Sequence, residues 1–165
     1  MTLSKPYTVL LFDPNPHSAR ILQTVLHQSG VKSVIHATEE SEAIDLMKLS
    51  QLDAVLCDCS GKSDAGLNIL RFIRNPKGPC DPKLPVIMTA SDASVTKVTQ
   101  ARDAGSTEFV AKPVSVATMT KILVSALEKQ RPFVESEQYF GPDRRRRRVN
   151  VNKPRRKSDQ TTAQG

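Results

Sequence analysis

The chain has 165 residues, room for one domain of ordinary size and an appendage. Its formal charge of +7 is unevenly placed: residues 1–130 hold 14 Lys and Arg against 13 Asp and Glu, whereas residues 131–165 hold 10 against 4. The basicity therefore belongs to the C-terminal stretch, and the body gives no electrostatic reason to seek nucleic acid.

Cys57, Cys59 and Cys80 show no pairing pattern and no second Cys/His cluster, which argues against a disulfide framework and a zinc site. Cys57 lies in an apolar run and reads as a small core residue in a reducing compartment. The sequence shows neither a signal peptide nor a long apolar span, so a soluble, cytoplasmic protein without membrane insertion is expected.

Five short apolar segments, residues 9–12, 33–36, 54–57, 86–89 and 109–111, read as strands. Most are apolar on both faces, as in parallel strands covered by helices on each side. Between and after them, apolar residues recur at helical spacing: Ile21, Leu22, Val25 and Leu26; Ala43, Ile44 and Met47; Leu67, Leu70, Phe72 and Ile73; Ile122, Leu123 and Leu127. Gly30 and Gly105 fall where helices should stop, and Pro76 closes another. Five such repeats predict a doubly wound five-stranded parallel α/β sheet, whose working edge lies beyond the carboxyl ends of the strands.

Polar residues gather at that edge. Asp13 follows the first strand, Asp58 ends the third, Thr89 the fourth, and Lys112 the fifth. Four such groups at adjacent strand ends suit phosphoryl transfer to a carboxylate. Asp58 would accept the phosphoryl group, Asp13 with Asp58 would hold magnesium, and Lys112 and Thr89 would hold phosphate oxygens.

These residues, with Lys112-Pro113, Gly66 eight positions after Asp58, and Phe109 three before Lys112, resemble the receiver domain of bacterial response regulators of the CheY type. The resemblance spans roughly residues 6–130 and implies a flavodoxin-like receiver. It also implies that Phe109 is the aromatic side chain that rotates as Thr89 moves on activation, and that a histidine kinase is the upstream partner. Receivers usually carry two acids after the first strand, but here Pro14 follows Asp13. The resemblance implies that the missing acid is the one contacting magnesium directly, so the metal site should be weak. The loop after Asp58 also departs from the family, with Lys62 and Asp64 and without a Met-Pro pair. Two readings of Asp58 and Lys112 stay open: an impaired phosphoacceptor site, or a purely structural ion pair. By the same resemblance, the fourth and fifth strand–helix units form the surface that meets partners.

After Gln130 no sustained apolar period remains. The boundary is placed between a receiver at residues 1–131 and a basic tail at 132–165, which alone should be disordered. Within that tail, residues 139–148 read Y-F-G-P-D-R-R-R-R-R. Guanidinium groups of Arg144, Arg145, Arg146, Arg147 and Arg148 can pair with guanine O6 and N7 or with phosphate, and can stack on bases. Asp143 can accept from the guanine N1–H and N2–H edge. Tyr139 and Phe140 offer stacking surfaces, and Gly141-Pro142 a turn that brings both halves to one ligand.

Cyclic di-GMP, with two guanines and two phosphates, would use all of these together. Arg155 and Arg156 in a second basic cluster would wrap its far side or raise the local potential. Arg144 and Arg148 also reproduce an R-x-x-x-R spacing similar to the arginine motif of PilZ-type receptors. The whole arrangement resembles the Cle group of CheY-like proteins. That resemblance implies a non-enzymatic cyclic di-GMP effector acting on the flagellar motor switch, recruited to the flagellated pole. Ordering about ten residues costs on the order of 10 kcal/mol, so several charge-assisted contacts would be required. The competing readings are an ordinary phosphorylation-driven receiver, and a polycation holding nucleic acid or acidic lipid without specificity.

Overall fold

The structure is a computed structural model that describes residues 1–145; Arg146, Arg147, Arg148, Arg155 and Arg156 lie outside the described residues. Five strands, β1 (Thr8–Phe12), β2 (Ser33–Ala37), β3 (Ala54–Asp58), β4 (Val86–Ala90) and β5 (Glu108–Ala111), form one parallel sheet in the order β2-β1-β3-β4-β5. Each expected strand is present, within a residue or two. A helix follows each strand: α1 (Pro16–Gln28), α2 (Glu40–Leu49), α3 (Ala65–Arg74), α4 (Val95–Asp103) and α5 (Val116–Glu128). This is the five-stranded α/β architecture that the alternation of periods implied.

Alternation along each strand divides the interior in two. Leu10, Phe12, Val55, Cys57, Val86 and Met88 point to one side, where they meet Met47 of α2 and Leu70 and Ile73 of α3. Val9, Leu11, Leu56 and Ile87 point to the other, against Leu22 and Leu26 of α1 and Met119 and Leu123 of α5. One expected core position differs: Ile21 is exposed, because the apolar stripe of α1 runs through Leu22, Val25 and Leu26. Gly30 and Gly105 end α1 and α4 as expected, with φ of 98° and 96°. No helix among the described residues is long and apolar enough to cross a membrane.

Residues 133–142, at the start of the basic tail, form paired strands where the composition alone implied disorder. Phe133–Ser136 (β6) and Tyr139–Pro142 (β7) pair antiparallel, joined at Glu137 and Gln138. Gly141 and Pro142, expected at a turn, lie buried in β7 instead. The hairpin has no core of its own, and the body supplies one. A Cβ on Gly141 would stand 2.8 Å from Gly105 Cα, and one on Gly105 would stand 2.7 Å from the Phe140 carbonyl oxygen. Two bare backbones therefore touch where side chains would force them apart.

Arg131 ties the junction by donating to the carbonyls of Asp143 and Thr107, and the Asp143 N–H returns a bond to the Pro132 carbonyl at 2.7 Å. The hairpin thus rests beside the end of α3 and the residues leading into β5, at the amino ends of the strands.

Candidate functional site

At the carboxyl ends of the strands Asp13, Asp58 and Lys112 meet, and Thr89 pairs in register with Asp58 on the neighbouring strand. Lys112 Nζ lies 2.6 Å from Asp58 Oδ1 and 2.9 Å from Asp13 Oδ2, so one ammonium bridges both carboxylates. Both acids are buried, since β1 and β3 are the central neighbours of the sheet and end side by side. Burial alone would push the Lys112 ammonium down, but hydrogen bonds to Asp58 and Asp13, with their charges, outweigh it and hold its pKa above the ordinary value.

Two serines complete the site, and the sequence reading did not single them out. Ser18 Oγ donates to Asp13 Oδ2 at 2.6 Å and accepts from Lys112 at 2.8 Å. Ser60 Oγ donates to Asp58 Oδ1 at 2.7 Å, and the Ser91 N–H donates to Ser60 Oγ at 3.0 Å. Ser18 lies in the first turn of α1, whose N-cap Asn15 accepts from His17 and Ser18. The signal was present: the Asn15-Pro16 helix start places Ser18 one turn inside, facing Asp13.

Thr89 Oγ1 is fully buried and has no hydrogen-bond partner. A buried hydroxyl left unmatched is uncommon and calls for an explanation. Gly66 is required by close approach, since a Cβ there would stand 2.1 Å from the Asp58 carbonyl oxygen. Phe109 is half-buried against the α3 side of the core. Beside Asp58, burial first and then the Asp58 charge push the Cys59 thiol up to about 11, which keeps it protonated and unreactive at neutral pH.

These residues fit a magnesium ion poorly. Asp13 Oδ1 accepts the Asn15 N–H at 2.9 Å, and Asp13 Oδ2 already holds Ser18 and Lys112. Pro14 adds no carboxylate. No three His, Cys, Asp or Glu among the described residues come together as a metal site.

The second group of expected residues lies at the opposite end of the sheet. Val134, Ser136, Tyr139, Asp143, Arg144 and Arg145 line a surface cavity of about 430 Å³ on the hairpin. The Arg144 guanidinium lies 4.5 Å from the centre of the Tyr139 ring, a cation–π contact. Tyr139 OH donates to the Pro142 carbonyl at 2.7 Å, which fixes the ring edge. Burial raises the phenol pKa against the opposing charge of Arg144. Phe140 is partly spent on structure, its ring centre 5.6 Å from that of Phe133.

The residue that seats this hairpin was missed. Arg74 is 4% exposed and donates to the carbonyls of Gly105 at 2.7 Å, Pro82 at 3.0 Å and Leu84 at 2.6 Å, and to Thr107 Oγ1 at 3.1 Å. Its guanidinium also lies 5.1 Å from the Phe133 ring centre. Burial lowers its pKa to about 10, so it stays charged at neutral pH. The sequence carried one hint: Leu67, Leu70 and Arg74 fall at i, i+3 and i+7, which puts Arg74 on the inward stripe of α3.

Residues 9–124 match the model of the response regulator receiver domain. The chain is 25% identical over 127 residues to the chemotaxis protein CheY-3 of Vibrio cholerae, covering 77% of this chain and 96% of that protein. Among solved structures it is similar to a putative response regulator from Chloroflexus aurantiacus. That likeness has a TM-score of 0.68 and 24% identity, over 75% of this chain and 99% of the other. It is also similar to the receiver domain of a sensor histidine kinase from Pseudomonas aeruginosa, solved with magnesium in its active-site cleft. There the TM-score is 0.65 at 22% identity, over 75% of this chain and 99% of the other. The family match ends ahead of the hairpin. With the sheet order, the Asp13–Asp58–Lys112 cluster and the match over residues 9–124 in agreement, this chain belongs to the response regulator receiver domain family.

Proposed function

We propose that the protein is a cyclic di-GMP effector whose hairpin and following arginines hold the nucleotide and whose receiver body passes the state on to the flagellar motor switch. The observation that carries this reading is the cavity lined together by Tyr139, Asp143, Arg144 and Arg145. It joins a stacking ring, a carboxylate for the guanine edge and two guanidinium groups in one place. Arg146, Arg147, Arg148, Arg155 and Arg156 continue the basic run and are assigned to the same ligand from sequence alone. Residues up to Arg145 are already ordered on the body, so binding spends less on ordering than a free tail would.

The α4–β5 face is the route proposed for output, because the hairpin rests beside it and Arg144 reaches α4. The signal stays in a non-enzymatic binding cycle, and recruitment to the flagellated pole would follow from motor binding. The test is calorimetry on the full chain. Replacing Arg144 and Arg148 together by Ala should weaken cyclic di-GMP binding at least about a hundredfold, the worth of two charge-assisted pairs. Wild-type affinity in the double variant rejects those assignments.

A second reading is favoured by the unmatched Thr89 hydroxyl. A phosphoryl group on Asp58, supplied by a histidine kinase, would give Thr89 Oγ1 a partner while Lys112 and Ser60 hold the remaining oxygens. This reading expects a single phosphoryl mass increment after acetyl phosphate treatment, lost in Asp58→Asn. The two readings use opposite ends of the sheet and are compatible.

A further inference from the structure

Asp103, the last residue of α4, carries an arrangement that the pocket on the hairpin does not account for. Its Oδ1 lies 3.0 Å from Arg144 Nη1 and 3.5 Å from Arg102 Nε, so one carboxylate oxygen holds guanidinium groups from two elements. Arg144 lines the hairpin cavity and also a second cavity of about 200 Å³, between the hairpin and the α4–β5 face. There it is joined by Arg102, Arg131, Ser106 and Phe109. Arg144 therefore stands in the wall between two hollows, one on the tail and one on the receiver body.

We infer that Arg102 and Arg144 form an anion subsite that Asp103 fills in the free protein, and that a phosphate of the bound nucleotide takes Asp103's place. The inference rests on the cyclic di-GMP reading and extends it to the receiver body. Side chains of Arg102, Asp103 and Arg144 are about half exposed, so their mutual pairing is weak and screened by water. A phosphodiester oxygen meets a guanidinium with the same geometry as a carboxylate oxygen and can add a second bond to the fork. A ligand with two phosphates and two bases is large enough to reach from one hollow to the next, with Tyr139 keeping the Arg144 plane in position from the hairpin side. Releasing Asp103 changes the charge balance at the last turn of α4, beside the cavity that Phe109 also lines.

The test uses the full chain, with calorimetry of cyclic di-GMP and amide chemical shifts of Ala104 and Gly105. Asp103→Asn removes the competing anion from an exposed position and should tighten binding about threefold, the size of a surface pair. The control Asp45→Asn, an exposed acid on α2, removes the same charge and should leave the affinity unchanged. Arg102→Ala should weaken binding by a similar factor. Ligand should shift the Ala104 and Gly105 amides in the wild type and much less in Asp103→Asn. Unchanged affinity in Asp103→Asn, or equal gains in both Asn variants, overturns the exchange while leaving the proposed function standing. Absence of any binding by the wild-type chain overturns both.

Discussion

Lys112 decides how the receiver site stands at rest. Its ammonium is the one cation on both Asp13 and Asp58 among the described residues, and its side chain is 13% exposed. Removing it leaves two buried carboxylates facing each other. Lys112→Ala should therefore lower stability at pH 7 by about 2 kcal/mol, somewhat less than a fully enclosed pair, in urea unfolding. Because the folded pKa of Lys112 is raised, its stabilising contribution is fully present below the ordinary amine value and is lost as pH rises through the folded value. The variant should accordingly lose part of the alkaline fall in stability that the wild type shows. Identical unfolding curves at neutral and alkaline pH would contradict the bridge.

Pro14 poses the complementary question. Pro14→Asp restores a carboxylate next to Asp13 and should strengthen magnesium binding at least about tenfold, followed by amide shifts around Asp58. An unchanged magnesium titration would show that the Lys112 bridge, not the missing acid, weakens the site.

At the scale of elements, the hairpin is the part that its sequence concealed. Its strands are four residues each, too short for an alternating pattern to stand out, and Pro132 and Pro142 argue against strand. It is seated by Arg74 against the Phe133 ring, by Gly105 against Gly141 and by the Thr107 carbonyl that holds Arg131, and no local pattern in residues 133–142 records these partners. The receiver site was legible for the opposite reason. Strands buried on both faces announce themselves, and a polar residue at the end of each can point only to the carboxyl edge. The same logic did not reach Ser18 and Ser60, because serine beside a helix start or a turn ordinarily reads as a cap. Gly141→Val should undock the hairpin, since its side chain would be driven into Tyr139 and Gly105. Hydrogen exchange should then show β6 and β7 amides losing protection while β1 and β3 keep theirs. Retained protection in β6 would contradict the glycine-on-glycine seating.

Across the whole molecule, charge and architecture divide the work. The family fold occupies the near-neutral body, and the surplus of positive charge follows α5. The Asp13–Asp58–Lys112 cluster sits at the carboxyl ends of the strands and the hairpin cavity near the amino ends, with α4 and β5 running between them. Binding at a shaped cavity with a stacking ring should respond less to salt than counterion release from a polycation, whose affinity falls steeply with ionic strength. The most direct measurement is calorimetric titration of the full chain with cyclic di-GMP at physiological salt, with GMP and single-stranded DNA as competitors. Saturable binding that neither competitor displaces at comparable concentration is expected. No heat from the dinucleotide, or ready displacement by the DNA, would contradict it.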